Sequence, residues 1–439
     1  MGAVAPPQRS RCTRGPLPLA SIRMGRAIRT VAIVGGGPAG ASLAAYLAGA
    51  GVRVALFDSG SKPDLVVGES LVPAVVGFLR KLGIEDEVAG YSTLKPGATF
   101  TMPRNQEQMH FRFDEVRKAQ IPYSYNVPRD RLDASIRDAA VRAGAALFSG
   151  RARVERAGPG ERVRLSDDTL EQTGGFLPEQ PDLVVDASGR SRSISRLLEL
   201  PTEAGPRRDT ALHAHMEGVE LSHAGHVHSS ILERGWSWRI PLPGRVSVGL
   251  VIPSESLATF GDTLEEQFDA TLRHDPVARG WSEHAKRITP VFKYTNYQLR
   301  SLRGVGPNWA LVGDAFGFID PVFSSGMLVG LDAAFELSRT VLDGSEPAFA
   351  RYQRHVLRHL GNWYHAVGHF YDGRLFTLFR VGNFMRQTRL GGLMEPHFLT
   401  HLPRVFTGEA THRRYSVGLL NFMCEYGLAR NDPAELAVR

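Results

Sequence analysis

The first chemistry that the sequence offers is the binding of a nucleotide pyrophosphate by a glycine-rich turn. Gly35, Gly37 and Gly40 form a G-x-G-x-x-G pattern between the apolar run 31–34 and a segment of helix-forming residues. In that context the first glycine permits a tight turn, the second lets backbone N–H groups approach a pyrophosphate, and the third lets the helix lie close to the strand. Asp58 ends the next apolar run, where a carboxylate can accept hydrogen bonds from an adenosine ribose. The pattern predicts a dinucleotide site; the alternative is a turn that serves packing alone.

Two tryptophans and a lysine offer a second set of functional side chains. Trp236 and Trp238 are two residues apart in a strand-like segment, so both side chains point to one face and can form a wall. The simpler interpretation is a strand that packs two aromatics in the core. Lys95 is one of six lysines, and an amine in an apolar passage has a lowered pKa that lets it bind or react with an electrophile. A lysine taken alone is nearly always a solvated surface residue.

The elements that must position these residues are those of a large α/β protein. The 439 residues are 43% hydrophobic and 22% charged, a globular composition that suits several domains or one α/β enzyme with an inserted sheet. The strand, glycine turn, helix and strand of residues 31–57 predict a buried βαβ unit rather than a transmembrane helix. Two further apolar strands are predicted, one ending at Asp186 and one just before Asp314.

Charge and cysteine content exclude several classes of protein. The formal net charge is +7, but residues 1–30 hold six arginines and no acidic residue, so the rest of the chain is nearly neutral. Neither nucleic acid nor a membrane is therefore expected as a partner. Cys12 and Cys424 lie at opposite ends of the chain, which excludes a disulfide framework and favours a reducing, cytoplasmic location. We expect residues 1–30 to be a disordered basic extension, either a processed leader or the product of a misassigned start.

Three segments of the chain resemble the flavin hydroxylase superfamily. They are the glycine-rich turn, the D-x-S-G turn at Asp186, and a Gly-Asp pair at Asp314 that is followed seven residues later by Pro321. The resemblance implies a p-hydroxybenzoate-hydroxylase-like α/β fold, in which a Rossmann-like FAD domain is interleaved with an antiparallel substrate sheet and followed by C-terminal helices. It also implies that Asp314 holds the ribityl chain of FAD and that the helix after Pro321 directs its positive end at the flavin ring.

Four further motifs resemble the flavin-dependent halogenases, a likeness that covers about residues 31–380. They are W-x-W-x-I-P from Trp236, F-x-D-P-x-x-S-S-G from Phe318, G-E-S-x-x-P from Gly68, and K-P-G-A-T-F from Lys95. The resemblance implies a two-component enzyme of secondary metabolism. FADH2 from a partner flavin reductase would react with O2 to give a C4a-hydroperoxide, and chloride or bromide would convert this into hypohalous acid. Lys95 would deliver the halogen to an aromatic ring, while the tryptophan wall would prevent direct oxygenation of the substrate.

The resemblance also assigns individual residues to the cofactor and the halide. The halide is expected at the backbone N–H groups of Ser325 and Gly326, where a helix begins. Arg129 stands in an R-x-x-x-D pattern with Asp133, and we leave open whether it contacts FAD or forms an ion pair on the helix surface. The complete predicted cofactor set is Gly35, Gly37, Pro38, Ala39, Gly40, Asp58, Glu69, Ser70, Arg129, Asp314 and Gly326.

Phe323 indicates the class of substrate. Tryptophan-specific members of the resembled family carry a Glu in the turn where this chain has Phe323, so we expect a phenol or a pyrrole, free or tethered to an acyl or peptidyl carrier protein. The segment 362–364, Asn-Trp-Tyr, followed by Phe370 and Tyr371, is shared with phenol and pyrrole halogenases. The alternatives are an aromatic monooxygenase or reductase of the same fold, and a flavin-binding protein without catalytic activity.

No metal is expected, despite 15 histidines. His355 and His359 form an i, i+4 pair, as do His365 and His369, but neither pair has an acidic residue at the H-E-x-x-H spacing. The implied flavin chemistry also needs no metal. The predicted layout is an FAD-binding domain of residues 31–84, 129–205 and 300–345, a substrate-binding sheet domain of residues 85–128 and 206–299, and a helical region of residues 346–439.

Overall fold

The computed structural model describes residues 27–60, 65–102, 107–385, 388–426 and 433–438. Most of the predicted basic extension, including Cys12, lies outside the described residues. The strands are β1 (Thr30–Val34), β2 (Arg53–Asp58), β3 (Thr93–Lys95), β4 (Gly97–Thr101), β5 (Gln108–Arg112), β6 (Ser124–Asn126), β7 (Ala146–Ser149), β8 (Val154–Arg156), β9 (Val163–Leu165), β10 (Leu183–Asp186), β11 (Thr202–Glu217), β12 (Val227–Ile231), β13 (Trp236–Leu242), β14 (Arg245–Pro253), β15 (Lys286–Arg287), β16 (Phe292–Ser301), β17 (Trp309–Leu311) and β18 (Gly317–Phe318). The helices are α1 (Pro38–Gly49), α2 (Pro73–Lys81), α3 (Glu85–Tyr91), α4 (Arg129–Arg142), α5 (Asp167–Glu171), α6 (Ser193–Leu197), α7 (Leu264–His274), α8 (Pro276–Ser282), α9 (Gly326–Asp343), α10 (Glu346–Tyr371), α11 (Arg374–Met385), α12 (Arg389–Phe406) and α13 (Arg414–Tyr426).

A five-stranded parallel sheet carries the glycine-rich turn. Its strand order is β17-β10-β1-β2-β7, and each of its pairings is parallel. The central strands β1, β2 and β10 are almost wholly buried, which explains why their sequences are continuous apolar runs rather than alternating ones. Helix α1 crosses from β1 to β2 and completes the βαβ unit that the sequence predicts. This is the Rossmann-like part of the predicted α/β fold.

Parallel pairing brings three strand ends that are distant in sequence to one edge of this sheet. β1 ends at Val34, β10 ends at Asp186, and β17 leads through Val312 into the turn that holds Asp314. Ala187 N donates a hydrogen bond to Val34 O at 2.9 Å, and Val312 N donates to Asp186 O at 3.0 Å. Ligands of open α/β sheets bind outside the carboxyl ends of the strands. The three predicted flavin segments therefore share the edge at which a ligand is expected.

A larger, mostly antiparallel sheet carries the two tryptophans. Its main path is β18-β16-β11-β14-β13-β12-β4-β5, with β15 paired to β11, and the β12–β4 pairing is parallel. β13 lies between β12 and β14, so the tryptophan strand is central rather than at an edge. Helices α7 and α8 pack against one part of this sheet around a separate apolar cluster that includes Phe268 and Trp281. The division of the chain into FAD and substrate domains stays a prediction.

The C-terminal part is helical, as the sequence predicts. α9 packs against α1 and α10, and α10 extends over 26 residues before α11–α13 fold back beside it. The polar stretch 155–175, predicted as a loop or hairpin, contains the β8–β9 hairpin followed by α5. Among the described residues, no helix combines the length and apolar character needed to cross a membrane.

Two glycines of the same turn should respond differently to alanine. A Cβ at Gly40 would lie 2.0 Å from Gly35 O, a backbone atom that cannot move without displacing β1, whereas a Cβ at Gly37 would meet nothing within 4 Å. We expect Gly40→Ala to lower the free energy of unfolding by about 3 kcal/mol. Gly37→Ala should cost no more than about 1 kcal/mol, the difference between glycine and alanine at a helix N-cap. Urea denaturation of both variants measures this, and equal losses would contradict the close packing of α1 on β1.

Candidate active site

One cavity joins the carboxyl edge of the parallel sheet to the tryptophan face of the larger sheet. Its empty volume is about 1230 Å³. The predicted site residues that line it are Gly37, Pro38, Ala39, Ser70, Arg129, Trp236, Trp238, Asp314 and Gly326. The predicted site residues that lie outside this lining are Gly35, Gly40, Asp58, Glu69, Lys95 and Ser325. The fold therefore brings most of the predicted set together around one space.

The glycine-rich turn has room for a phosphate only because side chains are missing from it. Gly35 has φ +120°, and a Cβ there would lie 2.2 Å from Ala187 O. A Cβ at Gly36 would lie 2.6 Å from Cβ of Asp58, which places that carboxylate directly against the turn. Gly37 faces open space at the start of the 12-residue helix α1. Unpaired N–H groups at a helix start attract anions, so the turn fits a pyrophosphate with Asp58 beside it.

Asp186 shapes the second turn rather than facing the cavity. Its carboxylate accepts hydrogen bonds from Ser188 N at 3.0 Å, from Ser188 Oγ at 2.6 Å and from Ile194 N at 2.7 Å. Burial raises the pKa of Asp186, while these hydrogen bonds act in the opposite direction. The side chain thus fixes the backbone between β10 and α6, and the neighbouring Gly189 lines the cavity.

Asp314 presents a carboxylate to the cavity from the third turn. Burial raises its pKa to about 6, although Arg129 and Arg190 act to lower it. The Arg190 guanidinium lies 4.0 Å from the ring centroid of Tyr294, which also lines the cavity. A carboxylate between two arginines at the sheet edge can accept hydrogen bonds from ligand hydroxyls. This fits the role in ribityl binding that the resemblance implies.

Arg129 forms the ion pair that was one of the two alternatives left open by its sequence pattern, and its contact with FAD stays a prediction. Its Nε lies 3.1 Å from Oδ1 of Asp133 in an i, i+4 ion pair, and its Nη1 donates a hydrogen bond to Val67 O. The side chain also lines the cavity. Gly68 makes this position possible, because a Cβ there would lie 2.7 Å from Nη1 of Arg129. Asp133 therefore holds the guanidinium in place at the cavity wall.

Glu69 and Ser70 differ in their relation to the cavity. The Glu69 carboxylate is buried and lies 2.8 Å from Nε2 of His215, and Arg245 Nε donates to Nδ1 of the same ring at 3.0 Å. Glu69 thus accepts an internal hydrogen bond from His215 and lies outside the cavity lining, and its contact with the cofactor stays a prediction. Ser70 does line the cavity, and its Oγ is buried with no hydrogen-bond partner among the described residues. An orphan hydroxyl at this place suits a ligand that supplies the missing hydrogen bond.

The two tryptophans form a fixed wall of the cavity. Their ring centroids are 5.8 Å apart, and a Cβ at Gly249 would lie 2.1 Å from the Trp238 ring, so that ring lies flat against the neighbouring strand. Trp236 Nε1 donates to Tyr371 OH at 2.9 Å, and that hydroxyl donates to Oδ2 of Asp320 at 2.8 Å. The chain of hydrogen bonds ties the wall both to α10 and to the turn before α9. A rigid wall can separate two compartments of a cavity.

The start of α9 offers an anion site. Ser324 has φ +56°, a left-handed conformation that turns the chain into the helix. Gly326 lines the cavity and has open space where a side chain would be. Ser325 is fully buried, and its Oγ has no hydrogen-bond partner among the described residues. Free N–H groups at the start of an 18-residue helix, next to an orphan hydroxyl, favour a small anion.

Lys95 is a buried amine just behind the cavity lining. Only 2% of its surface is exposed, and its Nζ donates to Leu71 O at 2.7 Å, directly after Ser70. The ring centroid of Phe113 is 5.6 Å from Nζ. Burial lowers the pKa of Lys95 to about 7, and no carboxylate of the described residues forms an ion pair with it. Burial without an ion pair therefore favours the neutral amine, and the catalytic role of Lys95 stays a prediction.

Phe323 belongs to a cluster of aromatic rings. Its centroid lies 6.1 Å from that of Trp363, 5.8 Å from Phe370 and 5.1 Å from Phe406. The residues come from the turn before α9, from α10 and from α12. Position 323, where tryptophan-specific members of the resembled family carry a glutamate, is therefore apolar in this chain.

Several residues at the site could not be found from sequence spacing. Arg190 follows the D-x-S-G turn directly, and Tyr294 lies on β16. In the sequence Tyr371 stands out only as part of an aromatic segment, although its hydroxyl joins Trp236 to Asp320. For Arg190 the sequence signal is its position next to a motif. The hydroxyl contact depends on how α10 packs on the large sheet, which no local pattern encodes.

Comparison with known proteins identifies what the chain is similar to. The sequence profile of a family described as tryptophan halogenase matches residues 30–119 and 104–375. A Pseudomonas fluorescens protein named 1H-pyrrole-2-carbonyl-(peptidyl-carrier protein) chlorinase is 28% identical over 388 residues, covering 80% of this chain and 85% of that protein. A tryptophan 2-halogenase from Chondromyces crocatus is 27% identical over 378 residues, covering 82% and 72%. The structure of the myxobacterial chondrochloren halogenase, a variant of FAD-dependent halogenases, has a TM-score of 0.68 at 25% identity, covering 94% of this chain and 100% of that one.

Removal of the Asp314 charge should weaken the binding of FAD. Asn is similar in size but is a weaker acceptor for ribityl hydroxyls, and a lost charged hydrogen bond costs about 1.5–3 kcal/mol. We expect Asp314→Asn to lower the affinity for FAD about tenfold or more. Asp343→Asn, at the exposed C-terminal end of α9 and outside the cavity lining, should leave it unchanged. Titration of the flavin-free variants with FAD, followed by flavin fluorescence, measures this, and an unchanged affinity of Asp314→Asn would contradict the assignment.

Proposed function

This chain belongs to the flavin-dependent tryptophan halogenase family, and from that premise we propose that it chlorinates or brominates an electron-rich phenol or pyrrole. Family membership makes the protein an enzyme that halogenates aromatic compounds with a flavin cofactor. The single observation that carries the finer proposal is the shared cavity. It reaches from the glycine-rich turn past Gly326 to the tryptophan wall, with the buried Lys95 just behind its lining.

The residues of the chain fit FAD at the sheet edge. The residues that would hold it are Gly37, Pro38, Ala39, Asp58, Ser70, Arg129, Asp314 and Gly326. When bound, reduced FAD would give two electrons to O2. The oxygen so activated would take two further electrons from a halide, which becomes hypohalous acid. The sequence has no second G-x-G-x-x-G turn for a nicotinamide nucleotide. We therefore assign the supply of FADH2 to a partner flavin reductase.

The start of α9 is the proposed place for the halide. The N–H groups of Ser325 and Gly326 are free to donate at a positive helix end, and the unpartnered Ser325 hydroxyl is a further donor. Gly326 lies at the cavity surface, so the anion is within reach of a bound flavin. The tryptophan wall, held by Tyr371 and Asp320, keeps the substrate on its other side and excludes water from the cofactor side.

Lys95 is the proposed carrier of the halogen. A neutral amine that donates one N–H to Leu71 O keeps its lone pair free, and a pKa of about 7 keeps a large fraction neutral at neutral pH. The amine either holds hypohalous acid by a hydrogen bond or reacts with it, forming an N–halogen bond and releasing water. The aromatic ring then takes the halogen as its positive ion, the electron pair of the N–halogen bond stays on the nitrogen, and the proton that the ring loses restores the amine.

The aromatic cluster around Phe323 favours an uncharged aromatic substrate. A free amino acid brings an ammonium and a carboxylate that need polar partners. Phe323 packs behind the cavity lining against the buried rings of Trp363 and Phe370, so this turn supplies no such partner. One relative is named for a pyrrole on a peptidyl carrier protein and another for tryptophan. The cluster supports the first of these classes, so we propose a phenol or a pyrrole, free or carrier-tethered.

A halide-dependent single turnover tests the proposed reaction. The protein is loaded with FAD, reduced by light without oxygen, and mixed with oxygenated buffer with or without bromide and a β-diketone trap for hypobromous acid. We expect one trap molecule to be brominated per flavin, and flavin reoxidation to be faster with bromide. If reoxidation ignores bromide and only hydrogen peroxide forms, the protein is instead a monooxygenase or oxidase on the same fold.

Replacement of Lys95 separates halogen transfer from halide oxidation. Lys95→Met keeps the shape of the side chain but removes the nucleophile, so we expect it to retain FAD and trap bromination while halogenation of phenol or pyrrole substrates falls at least 100-fold. Its folding stability should not decrease, because an uncharged thioether suits the buried site better than an amine. Lys286→Met, on exposed β15, is the matched control and should behave as wild type. Retained substrate halogenation by Lys95→Met would refute the assignment.

A further inference from the structure

Two neighbouring helices bring an aspartate and two histidines into direct contact, away from the cavity. Asp332 lies on α9, and His355 and His359 lie one turn apart on α10. Nε2 of His355 is 2.7 Å from Oδ2 of Asp332, and Nδ1 of His359 is 2.9 Å from the same oxygen. The three possible ligand atoms all lie within 4.8 Å of one another. None of these side chains has a part in the reaction proposed above.

The sequence of α10 has no acidic residue at metal-ligand spacing from its histidine pair, but α9 supplies one, Asp332. Asp332 and Glu336 are an i, i+4 pair on α9 that faces the i, i+4 histidine pair on α10, and Glu336 lines the same surface cleft as His355. Side chains that project towards each other from packed helices are a common way of building a metal centre inside a helical bundle. The expectation of no metal rested on the spacing within α10 and on the flavin chemistry, which needs no metal.

The ring of His359 is fixed by contacts at its other nitrogen. Nε2 of His359 lies 2.9 Å from Oγ1 of Thr411, and Trp363 Nε1 donates a hydrogen bond to the same nitrogen at 3.3 Å. In this geometry Nε2 accepts, and Nδ1 donates to Oδ2 of Asp332. Ligation of a metal ion through Nδ1 would displace that proton, and Oγ1 of Thr411 could accept it from Nε2.

We propose that Asp332, His355 and His359 bind a divalent transition-metal ion of the zinc class, with water or Glu336 as the fourth ligand. Two imidazoles and one carboxylate suit Zn²⁺, whereas Mg²⁺ and Ca²⁺ prefer oxygen ligands alone. Tetrahedral Zn²⁺ with bonds of about 2.0–2.1 Å needs ligand atoms about 3.3 Å apart. The present contacts must widen by roughly half an ångström, and His355, at 24% exposure, has the freedom to turn by that amount.

A surface cleft beside His355 gives a metal ion access to the three residues. The charged side chains of this cleft are those of Glu336, Asp343, Arg339, Arg351, Arg354 and Arg358. Arg339 forms an ion pair with Glu336, and Arg351 forms one with Asp343. Because the cleft is basic, binding must come from direct ligation by the three side chains.

A bound ion would fasten α9 to α10 near the active cavity. His359 is one turn before Trp363, and Nε1 of Trp363 lies 3.3 Å from Nε2 of His359. The Trp363 ring packs on Phe323, in the turn that leads into α9. The metal would therefore stabilise the helix pair that positions the start of α9, and it would have no contact with the reacting atoms.

Zinc binding by the full-length protein tests the proposal. The chelator-treated protein is titrated with ZnCl2 against a chromogenic competitor, and thermal unfolding is followed with and without ZnCl2. We expect one equivalent of zinc to bind and to raise the unfolding temperature, because a ligand that binds only the folded state stabilises it. His355→Ala should weaken the binding about 100-fold or more and remove the thermal shift. Asp332→Asn is a second variant and should have the same effect.

His365→Ala is the matched control, because His365 is exposed on the same helix and has no place among the three ligands. It should bind zinc as wild type does. Circular dichroism of each variant without zinc shows whether α10 is intact. The proposal is overturned if wild type binds no zinc at micromolar concentration, or if His355→Ala and Asp332→Asn bind it as tightly as His365→Ala does.

Discussion

The close contact of α1 with the carboxyl edge of the parallel sheet is the constraint on which the rest of the structure depends. Gly35 and Gly40 permit it, because a Cβ on either would overlap a backbone oxygen, at Ala187 or at Gly35 itself. With α1 in this place, the turn after β10 and the turn after β17 lie beside the glycine-rich turn, and a Cβ at Gly313 would lie 2.8 Å from Cβ of Ala39. Strand order thus brings together the proposed pyrophosphate turn and the carboxylate proposed for the ribityl chain.

The second organising element is the hydrogen-bonded chain from Trp236 through Tyr371 to Asp320. The side chains of all three residues are nearly fully buried, and each of their polar atoms in this network has a hydrogen-bond partner. A buried polar network that is fully hydrogen-bonded adds rigidity, whereas one with an unpaired polar atom lowers stability. The chain crosses from the large sheet to α10 and on to the turn before α9. It therefore connects the wall of the cavity to the proposed halide site, so that both keep one relative position while substrate and halide are bound.

The sequence was sufficient for features that depend on local spacing, and insufficient for those that depend on packing between distant elements. The βαβ unit, the three turns and the paired tryptophans each follow from a few consecutive residues, because strand period and glycine geometry are local properties. The partner of Glu69 is His215, and Asp332 meets His355 across two helices. Both contacts depend on how helices and sheets pack, and a single sequence carries no direct record of that packing.

Lys95 shows how energetics can distinguish a functional residue from a structural one. An unpaired ammonium at its site would cost on the order of 5 kcal/mol relative to water, as judged from the fall in its pKa from 10.5 to about 7. In the unfolded chain the Lys95 amine stays protonated up to about pH 10.5. Folding near neutral pH must therefore release this proton or bury the ammonium, and either lowers the free energy of unfolding. A lysine with a structural role would offset this cost with a carboxylate, yet among the described residues the one side-chain hydrogen bond of Lys95 goes to Leu71 O. The cost becomes intelligible if the neutral amine is needed for chemistry.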